Sequence, residues 1–307
     1  MFFSYKEFSE RTTDSQYRNL LQRIKSEGEK VYSQQEENAL MILGHQMRFD
    51  LKNGFPIITE RDLITPGKEG QLSQFEMAIG ELCAFLNGAR TLEEMKKFGC
   101  GWWKAWVIER KCSKRGLETG DLGPGSYGPA WRNFPTAEGK PFDQITHLIE
   151  QINEIPHLRT HIVSPWIPQY LGRGKNKQQK VVVVPCHGLF HVLINTYTNE
   201  LSLHHFQRSA DVPVGLVFNL IQYAALTLMI AQVTGYKSKE FVYTTSDTHI
   251  FLGQMNDVDE ILRTEPQPFP TVRIDPDIKD IFAFRPKHFQ VTDYKPQLPR
   301  RTIWTPV

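Results

Sequence analysis

The stretch HHFQRSADVPVGLVFNL, His204 to Leu220, changes character halfway along. Its first half reads as an extended segment ending at Arg208 and Ser209. Asp211 follows, and from Val212 apolar residues run almost unbroken to Val233. A polar turn joining a strand to a long apolar helix, with Asp211 as the capping acid, marks a mixed fold. Upstream, Val181 to Val184, Leu189 to Thr196 and Leu201 to Arg208 are candidate strands, with Thr198-Asn199 as a hairpin turn. Downstream, a further strand is expected around Glu240 to Thr244. Tyr17, Leu20, Leu21 and Ile24 recur at helical spacing within Asp14 to Glu29. A strand is expected over Leu40 to Leu51. A helix is expected over Gln71 to Leu86, stopping at Asn87-Gly88, and a short one over Thr91 to Phe98 with Thr91 as N-cap. Lys111 to Lys140, rich in Gly, Pro and charge, reads as one long irregular segment. Helices and strands do not alternate strictly, so the class is α+β and not doubly wound α/β. No break in composition divides the chain, so residues 1–307 are expected to form one domain, with residues 1–18 peripheral.

Bulk properties narrow the function. The chain has 307 residues, 40% of them hydrophobic and 23% charged, with a formal net charge of +2. That is an ordinary globular balance, with no global field calling for nucleic acid or a membrane surface. Four cysteines, Cys83, Cys100, Cys112 and Cys186, are too few and too scattered for a disulfide scaffold. Cys100 and Cys112 would pair only in an oxidising setting; reduced thiols and a cytoplasmic location are expected. The N-terminus, MFFSYKEFSERTTDSQYRN, lacks the apolar core of a signal peptide. The apolar run Val212 to Val233 carries Asn219, Gln222 and Gln232, which suits a buried helix better than a membrane span.

The chemistry centres on VVVVPCHGLFH, Val181 to His191. Cysteine is often buried as a small hydrophobe, but Pro185 places Cys186 where a strand bends or ends. A nucleophilic thiol needs a cation, a helix N-terminus or a base beside it. His187 is a poor candidate because successive extended residues face opposite ways. Arg208, near the end of a neighbouring strand, is a better one, and Arg208 with Ser209 suits a phosphate. Asn219, in an apolar run, must find hydrogen-bond partners, and its amide matches the O4 and N3–H edge of a uracil ring. Asp247 and His249 in SDTHIF share a face of an extended chain and suit sugar hydroxyls. No HxxxH, HxH or CxxC accompanies them, so no metal site is expected.

PCH, QRSAD, VGLVFN and SDTHIF, in this order and spacing, resemble the thymidylate synthase family. So do GHQMRF (Gly44 to Phe49), NGFPIIT (Asn53 to Thr59), GELCAFLNG (Gly80 to Gly88), WWKAW (Trp102 to Trp106), DLGPGSYGPAWR (Asp121 to Arg132) and the closing RTIWTPV. The resemblance runs from roughly Asn19 to Val307. It implies a single α+β domain with a mixed sheet and a long buried helix, paired sheet to sheet in a homodimer. It implies a pyrimidine nucleoside monophosphate as substrate and 5,10-methylenetetrahydrofolate as co-substrate. Carried over, Cys186 is the nucleophile attacking C6, Arg208 activates it and touches phosphate, and Glu81 and Tyr127 serve proton transfer. Ser209, Gln207, Asn219, His249, Asp247 and Arg159 fall to the nucleotide; Asp211, Trp103, Trp106 and Gly215 fall to the folate.

Three positions depart from the family's pattern. Gln34 stands where an Arg-Thr-Gly-type loop carries arginine, ten residues before Gly44. Thr160 replaces the second of two arginines that reach a partner's phosphate site, leaving Arg159. Phe251 replaces a tyrosine on the sugar hydroxyl. Each lost charge-assisted bond costs roughly 1.5–3 kcal/mol, and Lys175, Lys177 or Lys180 are the candidate replacements. Relatives divert the same chemistry by adding water, and Asn219 favours uracil over cytosine. The expected activity is therefore uracil-nucleotide C5 hydroxymethylation, with reductive methylation to dTMP as the alternative and a non-catalytic binding homologue as the second.

Overall fold

The computed structural model describes residues 4–306. Helix α1 (Gln16–Glu27) buries Tyr17, Leu20, Leu21 and Ile24, as their spacing requires. Strands β1 (Glu29–Tyr32) and β2 (Asn38–Asp50) follow. Helix α2 (Gln74–Leu86) opens on a capping box in which Ser73 and Glu76 satisfy each other's backbone N–H; Thr91 and Glu94 repeat the device at α3 (Leu92–Lys97). The segment expected to be irregular holds two short helices, α4 (Glu109–Ser113) and α5 (Tyr127–Arg132). One or two turns are too short for hydrophobic periodicity to register. Then come α6 (Gln144–Glu154), β3 (Ile162–Val163), α7 (Pro168–Leu171), β4 (Leu189–Asn195), β5 (Glu200–Asp211), α8 (Val217–Thr234) and β6 (Lys237–Phe251). Helix α9 (Met255–Leu262) and a small hairpin of β7 (Thr271–Ile274) and β8 (Phe289–Thr292) complete the chain.

Six strands form one mixed sheet in the order β1-β2-β6-β5-β4-β3. Only β5 and β6 run parallel; the other pairs are antiparallel. A parallel pair needs a long crossover, and α8 supplies it. The register sets Ser209 opposite Asp247 and Asp211 opposite His249, so QRSAD and SDTHIF lie side by side.

Helix α8 is long and apolar enough to cross a membrane, yet most of it is buried in the protein core, where it packs on α2 and the sheet. A π turn, Val212–Leu216, leads into it, and Gly235, at φ 78°, closes it in the left-handed conformation that glycine tolerates. All four cysteines are free; Cys100 and Cys112 do not pair. At the N-terminal side, the Tyr5 hydroxyl donates to Val272 O at 2.8 Å, and buried Arg11 donates to Phe269 O at 2.9 Å.

Three strand expectations change. Val181 to Val184 is not a strand: Val182 N donates to Leu122 O at 2.9 Å, but no ladder forms before Pro185, which has no N–H to give. The strand begins only after Gly188, at φ 96°. β5 runs on past Arg208 through Asp211, and β6 extends from Lys237 through Phe251. The pairing of β5 with β6 carries Ser209 to Asp211 as strand, where sequence alone suggests a turn, and the pairing of β6 with β2 and β5 carries that strand past Thr244 through SDTHIF.

Candidate active site

A cavity of about 710 Å³ opens above the C-terminal half of β5 and the start of α8, lined among others by Cys186, Arg208, Ser209, Asn219, Glu81 and Tyr127. That is within the size range of ligand sites. Cys186 is held from three sides. Its N–H donates to the Tyr127 hydroxyl at 2.8 Å, and its carbonyl accepts from Arg208 N at 2.8 Å. The Arg208 guanidinium donates to Pro185 O and Val184 O, both at 2.9 Å, which leaves Nη2 at 3.4 Å from Sγ. Burial pushes the Cys186 thiol up, while the Arg208 charge pulls it down. His187 also lines the cavity, but its Nδ1 lies 2.7 Å from the Tyr223 hydroxyl; burial holds its pKa at about 3, so it is neutral. Tyr127 is buried between Phe85 and His187, with ring centroids 4.6 and 4.3 Å away, and burial pushes its hydroxyl far up, so it stays a phenol.

At the far end a relay of hydrogen bonds fixes which atom Asn219 presents. Gln222 Nε2 donates to Ala78 O at 3.2 Å and to Glu81 Oε2 at 2.6 Å. A backbone carbonyl only accepts, so the Gln222 amide has one orientation. Its Oε1 then accepts a hydrogen bond from Asn219 Nδ2 at 2.9 Å, and Asn219 Oδ1 is left towards the cavity with no donor among the described residues. Glu81 also accepts from Trp102 Nε1 at 2.6 Å and Trp103 Nε1 at 2.5 Å. Burial pushes its carboxyl up and these donors oppose the shift.

At the sheet end, Ser209 Oγ donates to Asp247 Oδ2 at 2.6 Å, and His249 Nδ1 lies 2.9 Å from Asp247 Oδ1. Burial raises the Asp247 carboxyl, but the bonds from His249 and Ser209 outweigh it and hold it below the usual range. Asp247 stands behind the wall; Ser209, His249 and Phe251 line it. Gln207 is buried beside them, its Nε2 on Ser209 O at 2.9 Å and its Oε1 on the Tyr243 hydroxyl. Burial raises the Asp211 carboxyl; Thr305 Oγ1 at 2.7 Å and Gln254 Nε2 at 3.0 Å donate to it, and Gln254 Nε2 also holds Trp304 O at 2.9 Å. The closing segment is thereby tied to the site through Thr305; Val307 lies outside the described residues. Trp102, Trp103, Trp106, Gly215 and Phe218 make an aromatic and apolar wall, Trp102 packing on Phe218 at 4.9 Å.

The structure therefore brings together most of the residues singled out in the sequence. Arg159 is the exception: it is exposed, before β3, and does not line this cavity. Nor do Lys175, Lys177 and Lys180, the candidate replacements for the missing arginines; Arg173, in the same loop, does. Gln222, Gln254 and Thr305 escaped the sequence reading as site residues. Gln222 had a signal, since it lies one helical turn from Asn219 in an apolar helix; the other two act across long sequence separations. The family model described as thymidylate synthase matches residues 15–303. Nearly the whole chain is covered, including every residue of this cavity up to β6, and so the chain belongs to the thymidylate synthase family.

Proposed function

We propose that the protein hydroxymethylates C5 of a uracil nucleotide through a Cys186–C6 adduct. The family supports the coarser activity, transfer of a one-carbon unit to C5 of a pyrimidine nucleotide with methylenetetrahydrofolate as co-substrate. The observation that carries the choice of base is the orientation of Asn219. A free Oδ1 accepts N3–H of uracil, whereas N3 of cytosine is itself an acceptor.

The residues divide the work. Arg208 favours the Cys186 thiolate, which adds to C6 and makes C5 nucleophilic. Charge developing at O4 of the base is met by the second N–H of Asn219 Nδ2, which the Gln222–Glu81 relay holds in place. Tyr127, whose oxygen already accepts from Cys186 N–H, keeps its own proton and stands beside the adduct on the route by which the C5 proton leaves. Ser209 and His249 orient the sugar and phosphate. The folate supplies the one-carbon unit when bound; the tryptophan wall with Gly215 offers its ring system a flat face, and Asp211 a carboxylate for its N–H groups.

Hydroxymethylation adds water to the activated carbon and regenerates tetrahydrofolate, whereas methylation takes a hydride and leaves dihydrofolate. The departures at Gln34, Thr160 and Phe251 support a substrate held differently from that of a dTMP-forming enzyme. Leu189, Leu193 and Phe206 stand exposed on the open sheet face at 36%, 43% and 39%, which supports a sheet-to-sheet homodimer in which Arg159 reaches the neighbouring site. Four free cysteines support a cytoplasmic setting.

The test uses C5-tritiated dUMP, UMP, dCMP and CMP with methylenetetrahydrofolate. Tritium release from a uracil nucleotide without dihydrofolate absorbance is expected. Release with that absorbance shows methylation instead; release from cytosine nucleotides overturns the base assignment. No release from any of the four supports a non-catalytic binding protein. Cys186→Ala abolishes release, and surviving activity contradicts the adduct.

A further inference from the structure

At the mouth of the cavity α4 and the turn after it bring Arg110, Lys111, Lys114 and Arg115, and a loop brings Arg173. Among the described residues none of these five is ion-paired with a carboxylate. Glu36 lines the same rim without pairing with them. Arg115 Nη1 donates to Lys111 O at 2.7 Å, but its Nε is buried without any acceptor. Crowding is unrelieved: burial and then the charge of Arg173 lower the Arg115 pKa, and burial with Arg110 and Arg115 lowers that of Lys111. Like charges left unpaired around a concave mouth hold an anion.

Arg173 is aimed, although it is exposed. Its Nε donates to Gln179 Oε1, and Gln179 is itself buried and anchored by its Nε2 to Val181 O at 2.7 Å. Its Nη1 donates to Gln34 Oε1 at 3.3 Å. Two bonds therefore fix the fork, and Nη2 has no acceptor among the described residues. Gln34 is the position where a cation is missing from the sequence pattern, and Arg173 is hydrogen-bonded to it.

We infer that Arg173, backed by Arg115 and Lys114, forms an anion site at this mouth and holds the phosphate of the nucleotide from beside Gln34. The assignment rests on the nucleotide reading above. Arg173 takes two phosphate oxygens with its free N–H groups, Gln34 adds its amide, and Arg208 with Ser209 completes the grip from β5. A planar fork held by Gln179 has little rotamer freedom left to lose on binding.

Two measurements on the full-length protein test this. Inorganic phosphate is titrated against the free enzyme and followed by tryptophan fluorescence. Tritium release is measured with C5-tritiated uracil nucleotide and with the corresponding nucleoside. Arg173→Gln, on an exposed loop, is expected to weaken phosphate binding and raise KM for the nucleotide at least tenfold. The ratio of kcat/KM between nucleotide and nucleoside falls by the same factor. Arg173→Lys restores part of the loss. Phosphate affinity and nucleotide KM within twofold of wild type in Arg173→Gln overturn the assignment. Loss of phosphate binding in that variant, with no tritium release from any pyrimidine nucleotide by the wild type, upholds the anion site and overturns its link to C5 chemistry.

Discussion

Replacing Arg208 by Gln should slow the reaction of Cys186 with iodoacetamide at neutral pH by roughly 3- to 100-fold. The magnitude follows from one distance. Nη2 lies 3.4 Å from Sγ. A unit charge there stabilises a thiolate by about 1 kcal/mol in a water-like medium and about 5 kcal/mol at an effective dielectric constant of about 20. Arg208 is half-buried, so the value lies between these limits. At about 1.4 kcal/mol per tenfold, the thiolate population at neutral pH falls by roughly 10- to several-thousand-fold. A more basic thiolate is a better nucleophile, and a Brønsted coefficient of about 0.4–0.5 recovers nearly half of the logarithm. The direction is unambiguous: losing the cation moves the thiol's titration to higher pH. Alkylation rates resolved by mass spectrometry across pH provide the assay. Cys83, Cys100 and Cys112, all buried, serve as slow internal controls. Arg208→Lys keeps the charge but loses the fork that grips Val184 O and Pro185 O together, so it should fall between. Identical pH–rate profiles for wild type and Arg208→Gln would refute activation of the thiol by Arg208.

Glu81→Gln should lower kcat by about 10²–10⁴-fold. It should weaken nucleotide binding too, because its amide would face Gln222 Nε2 donor to donor and turn the relay that orients Asn219; steady-state kinetics with equilibrium binding checks both. Thr305→Val removes a 2.7 Å donor to Asp211 and should raise the folate KM about fivefold, the effect of about 1 kcal/mol, with little change in the nucleotide KM. Glu60 is buried, which raises its pKa to about 7. Above its unfolded pKa the unfolded chain has released this proton and the folded chain has not, so stability falls as pH rises towards 7. That contribution is about 3 kcal/mol between pH 4.5 and 7. Glu60→Gln should flatten the corresponding part of the pH dependence in urea unfolding; an unaltered slope contradicts the assignment. Phe251→Tyr sets a hydroxyl at the end of a ring 4.8 Å from His249, facing the sugar side of the cavity, and should lower the nucleotide KM about threefold through one new hydrogen bond; the KM series over ribose and deoxyribose substrates reads it.

The linear chain was legible where physics is local. Helical spacing placed α1, α2 and α8, and capping residues placed α3, because each depends on neighbours within a turn or two. The motifs around Cys186, Arg208, Asn219 and Asp247 were legible as chemistry, since residue type and spacing alone limit what they do. Strand limits were not. Val181 to Val184 looks like a strand by composition but finds no ladder, and Ser209 to Asp211 looks like a polar turn yet is held as strand by β6. Strand identity depends on a partner, and partners come from far along the chain.

By itself, then, the sequence determined the fold class, the proposed nucleophile and the set of polar groups that accompany it. Tertiary structure alone decided how those groups are oriented. Gln222 shows its Oε1 to Asn219 because Ala78, from another helix, offers only a carbonyl. Arg208 aims at Cys186 because two loop carbonyls, one on Nε and one on Nη2, fix its fork. Arg173, and not the lysines near it in sequence, lines the cavity because buried Gln179 and Gln34, 139 positions away, hold its guanidinium there. A hydrogen bond takes its direction from the partner's geometry, and long-range partners exist only once the chain has closed.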